Sequence, residues 1–182
     1  MPRAVRERLS AARHIIPMAI VYVALGSNLG NREGSLQAAL EKMKALPHTR
    51  WLRSSAQHET EPVGVPPQGK FLNSVAELET SLPPKELLRH LQQIEQEFGR
   101  PAEHDSRSPR VIDLDLLAYD ALILREPELE IPHPRMQERP FVLIPLAEIA
   151  PEWIHPRLRK STSALLKELK ESAPNANRQA SG

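Results

Sequence analysis

Residues 107–117 read R-S-P-R-V-I-D-L-D-L-L, and the alternation of apolar and acidic residues in the second half is typical of a β-strand. Alternate residues of a strand share a face, so Asp113 and Asp115 are expected on one side, roughly 6 to 7 Å apart along the chain. Two like charges at this distance repel each other unless a positive charge lies between them. The pair therefore predicts a site for Mg²⁺, which binds carboxylates and fills its other positions with water and phosphate oxygen.

Two arginines, Arg107 and Arg110, come just before the acidic pair. The guanidinium group is well shaped to donate two parallel hydrogen bonds to phosphate oxygens. Carboxylates for a metal beside arginines for phosphate indicate a nucleotide site. The alternative is a half-exposed edge strand whose Asp and Arg side chains are solvated, and the residues alone leave it open.

The composition is ordinary for a soluble globular protein. Among 182 residues, 40% are apolar and 26% are charged, and 24 basic against 23 acidic side chains give a net charge of +1. This balance argues against a general nucleic-acid binder, which would carry a basic excess. The absence of cysteine excludes disulfides, zinc-thiolate sites and thiol nucleophiles. No apolar run approaches the roughly 20 residues needed to cross a bilayer.

The two ends of the chain differ from its middle. Residues 1–17 are Arg-rich and stop just before Met18, which offers a second start, so we interpret them as a flexible N-terminal extension outside the core. Residues 18–172 are expected to form a single domain. Residues 173–182 are small and polar, which predicts a disordered tail.

The order of apolar patterns predicts the fold. Strands are predicted at residues 20–25, 49–60, 71–80 and 113–117, short strands at 122–124 and 153–156, and helices at 33–46, 83–99, 140–149 and 161–169. A proline-rich loop at 61–70 and a polar loop at 100–108 interrupt this order, and the second suits a mobile lid beside a phosphate site. The order β-α-β-β-α-β predicts an α+β fold, a two-layer ferredoxin-like sandwich with helices packed on an antiparallel sheet.

Four blocks of the sequence carry a resemblance to a known family. They are A-L-G-S-N-L-G at 24–30, E-P-V-G with F-L-N within 61–73, P-R-V-I-D-L-D-L-L at 109–117, and I-P-H-P-R-M at 131–136 followed by Arg139 and Phe141. In these blocks the chain resembles the 6-hydroxymethyl-7,8-dihydropterin pyrophosphokinases, and the third block is highly specific. The resemblance implies a folate-pathway enzyme that transfers diphosphate from ATP to a pterin alcohol and releases AMP.

The resemblance also implies roles for individual residues. Asp113 and Asp115 would hold two Mg²⁺ ions, and they would form the catalytic set with Arg100 and Arg110. The implied ATP contacts are Gln92, Glu95, Arg100, Arg110, Ile112, His133 and Arg139. The implied pterin contacts are the stacking rings of Phe71 and Phe141, with Asn73 and the backbone of Thr60 and Val63 at the amide edge of the ring. We expect small-molecule substrates only, no nucleic-acid or membrane partner, and a cytoplasmic monomer.

The loop at 100–108 departs from the family pattern. Arg107 stands where the family commonly has Trp, Ala102 and Ser106 stand where it often has arginines, and Ser108 replaces Gly, whereas Arg100 is retained. We expect the loop to close over substrate differently, and the departure does not touch the predicted metal site.

Two other classes of protein remain alternatives. A nucleic-acid-binding ferredoxin-like domain would carry stacking aromatic residues and basic residues on its sheet, and this chain lacks such a strand motif. A non-catalytic regulator that binds metal or nucleotide would use the same carboxylates. Release of AMP from ATP, in the presence of the pterin alcohol and Mg²⁺, would separate the three.

Overall fold

The computed structural model describes residues 17–62, 65–99 and 108–173. The predicted N-terminal extension, the predicted C-terminal tail and the predicted lid loop lie almost entirely outside these residues. Val63, Arg100 and Arg107 lie outside them as well.

The centre of the molecule is an antiparallel sheet built around β1 (Ala19–Ser27). One neighbour of β1 is β4 (Phe71–Thr80) and the other is β5 (Asp113–Tyr119). Strands β2 (Thr49–Ser54) and β3 (His58–Thr60) both pair with β4, so the order across the sheet is β2-β4-β1-β5 with β3 beside the start of β4. The strands predicted at residues 20–25 and 71–80 are confirmed.

Two helices cover one face of the sheet, α1 (Arg32–Lys44) and α2 (Pro84–Glu97). The first begins where the Asn31 side chain accepts a hydrogen bond from the Gly34 amide, and the second ends before Gly99, whose φ of 86° suits a residue without a side chain. Their apolar stripes pack on alternate residues of the strands to form the main core, which includes Val21, Val23, Leu25, Leu36, Met43, Leu78, Leu87 and Leu91. The predicted α+β ferredoxin-like fold is confirmed.

The opposite face of the sheet carries two more helices, α3 (Pro140–Ile149) and α4 (Thr162–Ser172). Apolar side chains of α3 pack on Tyr22, Val75 and Leu117 in a second core cluster. These helices add a partial third layer to the two-layer arrangement expected from the sequence. The layer stops short of the ends of β4 and β5 that carry Phe71 and Asp113, and an open cleft remains there.

The predicted strand at 49–60 is in fact two strands. Ser55 leaves the regular ladder because its hydroxyl accepts a hydrogen bond from the Val75 amide at 3.0 Å. The next amide, that of Ala56, donates to the Glu148 carboxylate of α3 at 3.1 Å instead of to β4. The break therefore depends on a partner far away in the sequence.

Two predicted short strands are wrong. Residues 122–124 do not pair with β5, because Asp120 turns the chain with a φ of 46° and exchanges hydrogen bonds with Ile20. The chain then forms a separate hairpin of β6 (Leu124–Glu126) and β7 (Leu129–Ile131). Residues 153–156 form a single bridge, Ile154 to Ser161, since Pro156 cannot donate to a ladder.

Candidate functional site

The cleft has a volume of about 480 Å³ and opens on the face of the sheet that α3 only partly covers. The ends of four strands (β1, β3, β4 and β5), the segment before β5 and the start of α3 form its walls. Its lining contains Ala24, Leu25, Gly26, Thr60, Glu61, Val65, Phe71, Asn73, Arg110, Asp113, Asp115, His133, Arg135, Glu138, Arg139, Pro140, Phe141 and Val142. Nine residues that the sequence assigned to a site thus meet in one cavity.

The two acidic residues face the cleft because of the strand register. Leu114 and Leu116 point into the main core, so alternation puts Asp113 and Asp115 on the other side, opposite Gly26 and Ala24 of β1. Among the described residues, no group of three or more His, Cys, Asp or Glu side chains is placed to hold a metal ion. Two carboxylates on an open face fit Mg²⁺, which completes its coordination with water and substrate oxygens.

The positive groups of the cleft lie against its aromatic rings. The Nε atom of Arg110 is 3.4 Å from the Oδ2 atom of Asp113, and its guanidinium carbon lies 5.4 Å from the centre of the Phe71 ring. The guanidinium of Arg139 lies 5.7 Å from the centre of the Phe141 ring. Groups suited to phosphate and groups suited to a flat ring are therefore direct neighbours on both sides of the cleft.

His133 enters the cleft as a neutral side chain. Burial, together with the nearby guanidinium of Arg139, lowers the pKa of His133 to about 4. Its Nδ1 atom accepts a hydrogen bond from the Arg135 amide at 3.3 Å, which assigns the proton of the neutral ring to Nε2. His133 is therefore a hydrogen-bond donor at neutral pH, a role suited to a phosphate oxygen.

We predict that His133 stays neutral down to about pH 5 in the ligand-free protein. Its folded pKa lies below the unfolded value of about 6.5, so the unfolded state binds more protons between these values and stability falls as pH falls through that window. Histidine NMR titration, assigned with a His133→Gln variant, measures the pKa directly. A midpoint near the unfolded value would contradict the half-buried, neutral state.

The ring side of the cleft is organised around Asn73. Its Nδ2 atom donates to the Thr60 hydroxyl at 2.7 Å, which fixes the orientation of the carboxamide. Gly26 lies beside it in the pairing of β1 with β4. A Cβ atom at Gly26 would stand 3.3 Å from Asn73 Oδ1 and 3.8 Å from Phe71 Cδ1. A residue without a side chain thus keeps the floor of the cleft open.

We predict that Gly26→Ala weakens binding of the pterin that the resemblance implies by about tenfold, because the new methyl group pushes on Asn73 and Phe71. Nucleotide affinity and the melting temperature should change little, since one neighbour is a side-chain oxygen that can shift. Calorimetry with each ligand separately gives both affinities. An equal loss for pterin and nucleotide would indicate a general distortion of the sheet.

Three of the predicted ATP contacts do not line the cleft. Gln92 is exposed on α2, and Ile112 is buried in the main core. Glu95 is buried too, and its carboxylate accepts a hydrogen bond from the Leu114 amide at 2.7 Å, which fixes the start of β5. The assignment of these three residues to ATP stays a prediction, as do those of Val63 and Arg100, which lie outside the described residues.

The structure also adds residues that the sequence did not single out. Arg135 and Glu138 form an ion pair of 3.2 Å beside the cleft, across a short 3-10 turn. Glu61 lines the opposite wall and pairs with Lys70 at 2.9 Å. The spacing of Arg135 and Glu138 was the only sequence signal for the first pair, and none connected Glu61 with Lys70.

Related sequences share the name of one activity. A family model described as 7,8-dihydro-6-hydroxymethylpterin-pyrophosphokinase matches residues 22–151. A 2-amino-4-hydroxy-6-hydroxymethyldihydropteridine pyrophosphokinase of Pseudomonas aeruginosa is 47% identical over 133 residues, which cover 72% of this chain and 81% of that protein. A protein of the same name from Porphyromonas gingivalis is 44% identical over 142 residues, which cover 76% of this chain and 95% of that protein.

Other similar proteins are much longer than this chain. The folic acid synthesis protein FOL1 of Dictyostelium discoideum is 42% identical over 147 residues, which cover 80% of this chain but 22% of that protein. The crystal structure of wild-type Plasmodium falciparum HPPK-DHPS matches 83% of this chain and 44% of its own, with a TM-score of 0.64 and 12% identity. At that identity the match supports the fold alone.

Proposed function

The chain belongs to the 7,8-dihydro-6-hydroxymethylpterin-pyrophosphokinase family, and from this membership we propose that it transfers diphosphate from ATP to 6-hydroxymethyl-7,8-dihydropterin in folate biosynthesis. The hydroxyl oxygen of the pterin bonds to the β-phosphorus of ATP. The bond from that phosphorus to the α–β bridging oxygen breaks, AMP leaves with the oxygen, and the hydroxyl proton passes to solvent. The observation that carries the proposal is the single cleft in which the acidic pair, the arginines and the two Phe rings meet.

The part of the cleft proposed to bind the triphosphate, its phosphate side, consists of Asp113, Asp115, Arg110, His133 and Arg139. The carboxylates are assigned to two Mg²⁺ ions, and bound Mg²⁺ supplies charge neutralisation on the phosphates. The Arg110 and Arg139 guanidinium groups and the Nε2–H of neutral His133 donate hydrogen bonds to phosphate oxygens. We assign Arg100 to the same catalytic group, and Gln92, Glu95 and Ile112 to the rest of the nucleotide.

The part proposed to bind the pterin, the ring side of the cleft, has Phe71 and Phe141 as stacking faces. Asn73 lies at the amide edge of the ring, with the backbone of Thr60 and Val63 beside it. Asn73 already donates to Thr60 at 2.7 Å, so its carboxamide oxygen has a defined direction in the cleft. A planar heterocycle gains both stacking and directional hydrogen bonds in such a site. The alcohol of the pterin then lies between the rings and the acidic pair.

We also propose that the catalytic unit is one domain over residues 18–172, between an N-terminal extension and a C-terminal tail, and that it works as a cytoplasmic monomer. None of the helices in the described ranges is long and apolar enough to span a membrane.

Light scattering of the purified chain tests the monomer, and a protein that begins at Met18 tests the extension. Removal of the extension should leave the activity and the melting temperature unchanged, because β1 starts at Ala19.

A coupled AMP assay tests the proposed reaction. With ATP, Mg²⁺ and the pterin alcohol, the protein should release one AMP for each pterin diphosphate formed. The matched control substrate is the 6-methyl analogue, which retains the ring but lacks the attacking hydroxyl, and it should bind without release of AMP. Binding of both ligands without turnover would instead identify a non-catalytic binding protein.

A further inference from the structure

Asn28 lies in the turn between β1 and α1 and connects two segments that are distant from it and from each other in sequence. Its Nδ2 atom donates to the Gln68 side chain at 2.6 Å and to the Gly69 carbonyl at 3.2 Å. Its Oδ1 atom accepts from the Arg110 amide at 2.9 Å, and its own amide donates to the Arg110 carbonyl at 3.2 Å. The residue is 7% exposed, so these bonds are shielded from water.

The segments that Asn28 joins lead directly to the two sides of the cleft. Gly69 comes two residues before Phe71, and Arg110 comes three residues before Asp113. The approach is close, because a Cβ atom at Gly69 would stand 3.2 Å from the Asn28 carbonyl oxygen. Asn28 therefore fixes the distance between the segment that begins the ring side and the segment that begins the phosphate side.

Only a carboxamide meets all of these demands at once. Asn offers two N–H donors and an acceptor oxygen on a short side chain. Asp keeps the acceptor for the Arg110 amide but loses both donations to residues 68 and 69. Ala loses all three side-chain bonds and keeps only the backbone bond to the Arg110 carbonyl. It leaves shielded groups without their side-chain partner, which costs more than the loss of an exposed hydrogen bond.

We propose that Asn28 is a positioning residue for diphosphate transfer, which sets the phosphate side and the ring side of the cleft in register. The proposal rests on the proposed function for its kinetic consequence and on the hydrogen bonds alone for its structural consequence. An attack in line with the leaving oxygen requires both sides to be aligned, and a displacement of 1 Å can lower a rate by about 10²-fold.

Hydrogen exchange of the ligand-free protein tests the connection without reference to any reaction. Asn28→Ala should speed exchange of the Arg110 amide and of residues 68–70 by about tenfold or more. Asn28→Asp should speed exchange at residues 68–70 and leave the Arg110 amide protected. Gln68→Ala removes one partner without touching Asn28, and it should loosen residues 68–70 alone. Unchanged exchange at both segments in Asn28→Ala would overturn the proposal.

Kinetics then separate positioning from simple support of the turn. Asn28→Ala should lower kcat by about 10²-fold with smaller changes in the KM values, because alignment is lost more than binding. The matched control is Asn31→Ala, which removes another Asn bond from the same turn, the one to the Gly34 amide at 3.0 Å. It should lower the melting temperature and spare kcat.

Each result has a defined meaning. An equal fall of kcat in the Asn31→Ala and Asn28→Ala proteins would overturn the positioning role, as would parental kcat in Asn28→Ala. If Asn28→Ala does not fold, Asn28→Asp and Gln68→Ala are compared with Asn31→Ala in its place, and their expected losses of kcat are smaller. If the parent protein releases no AMP, the proposed function fails, while the exchange data still decide whether Asn28 joins the two segments.

Discussion

Replacement of either Asp113 or Asp115 by alanine should lower kcat by about 10²- to 10⁴-fold, equivalent to ~3 to 5 kcal/mol of barrier. Negative charge gathers on the bridging and equatorial oxygens during diphosphate transfer, and the metal that we propose for the two carboxylates would neutralise it. The arginines can bind the nucleotide, but they cannot coordinate the attacking hydroxyl. The loss should therefore appear in turnover more than in ATP affinity.

The stability of the ligand-free variants provides the control. Asp115→Ala relieves repulsion between two carboxylates on one face, so its melting temperature should hold or rise. Asp113→Ala also loses the contact of 3.4 Å with Arg110 and should melt slightly lower. Asp→Asn at each position keeps the volume and removes the charge, and it should be nearly as slow as Ala. Turnover close to that of the parent, or unfolding of all four variants, would make the strand structural.

Phe71→Ala and Phe141→Ala should each weaken pterin binding by about 10- to 100-fold, because each removes one stacking face worth ~1 to 3 kcal/mol. The chain offers a matched control in its third phenylalanine, Phe98, which packs against the main core on the other side of the sheet. Phe98→Ala should lower the melting temperature and leave the affinities for pterin and for nucleotide unchanged. Calorimetry of the three variants with pterin and with a non-hydrolysable ATP analogue makes the comparison.

Nucleotide affinity should fall only a little in the first two variants. Each ring supports one guanidinium, Arg110 on Phe71 and Arg139 on Phe141. These contacts are half-buried, so each is worth about 1 kcal/mol, between the values for exposed and desolvated cation–π contacts. Losses of equal size for pterin and nucleotide would show that the rings support the arginines instead of binding the heterocycle.

The parts of the fold that the sequence predicted are those that local patterns determine. The faces of Asp113 and Asp115 follow from a period of two, and the bounds of α2 follow from its prolines and Gly99. The break at residues 55–57 could not be predicted, because the group that satisfies the Ala56 amide is Glu148, 92 residues away. The hairpin of β6 and β7 was missed for the same reason, since Asp120 is held by Ile20 at the start of β1.

The candidate site divides in the same way. The strand and helix-start residues that the sequence assigned to the site lie in the cleft, because strand alternation and proline positions determine where they point. Glu95 shows the limit of this reasoning, since a helix pattern does not reveal that its carboxylate bonds to the Leu114 amide of a strand. Asn28 shows another limit, because a short turn in the sequence gives no sign of the two segments that it joins.

The outer strands of the sheet also determine how the protein behaves at high concentration. On one border the ladder of β2 is irregular between Trp51 and Arg53 and ends at Ser54, and the Ala56 amide donates to Glu148. On the other border, the Leu117 carbonyl of β5 already accepts a hydrogen bond from the His133 amide. The Leu114 amide of the same strand donates a hydrogen bond to Glu95. We expect these interruptions at the described residues of β2 and β5 to hinder pairing with a strand from a second molecule, which disfavours edge-to-edge aggregation.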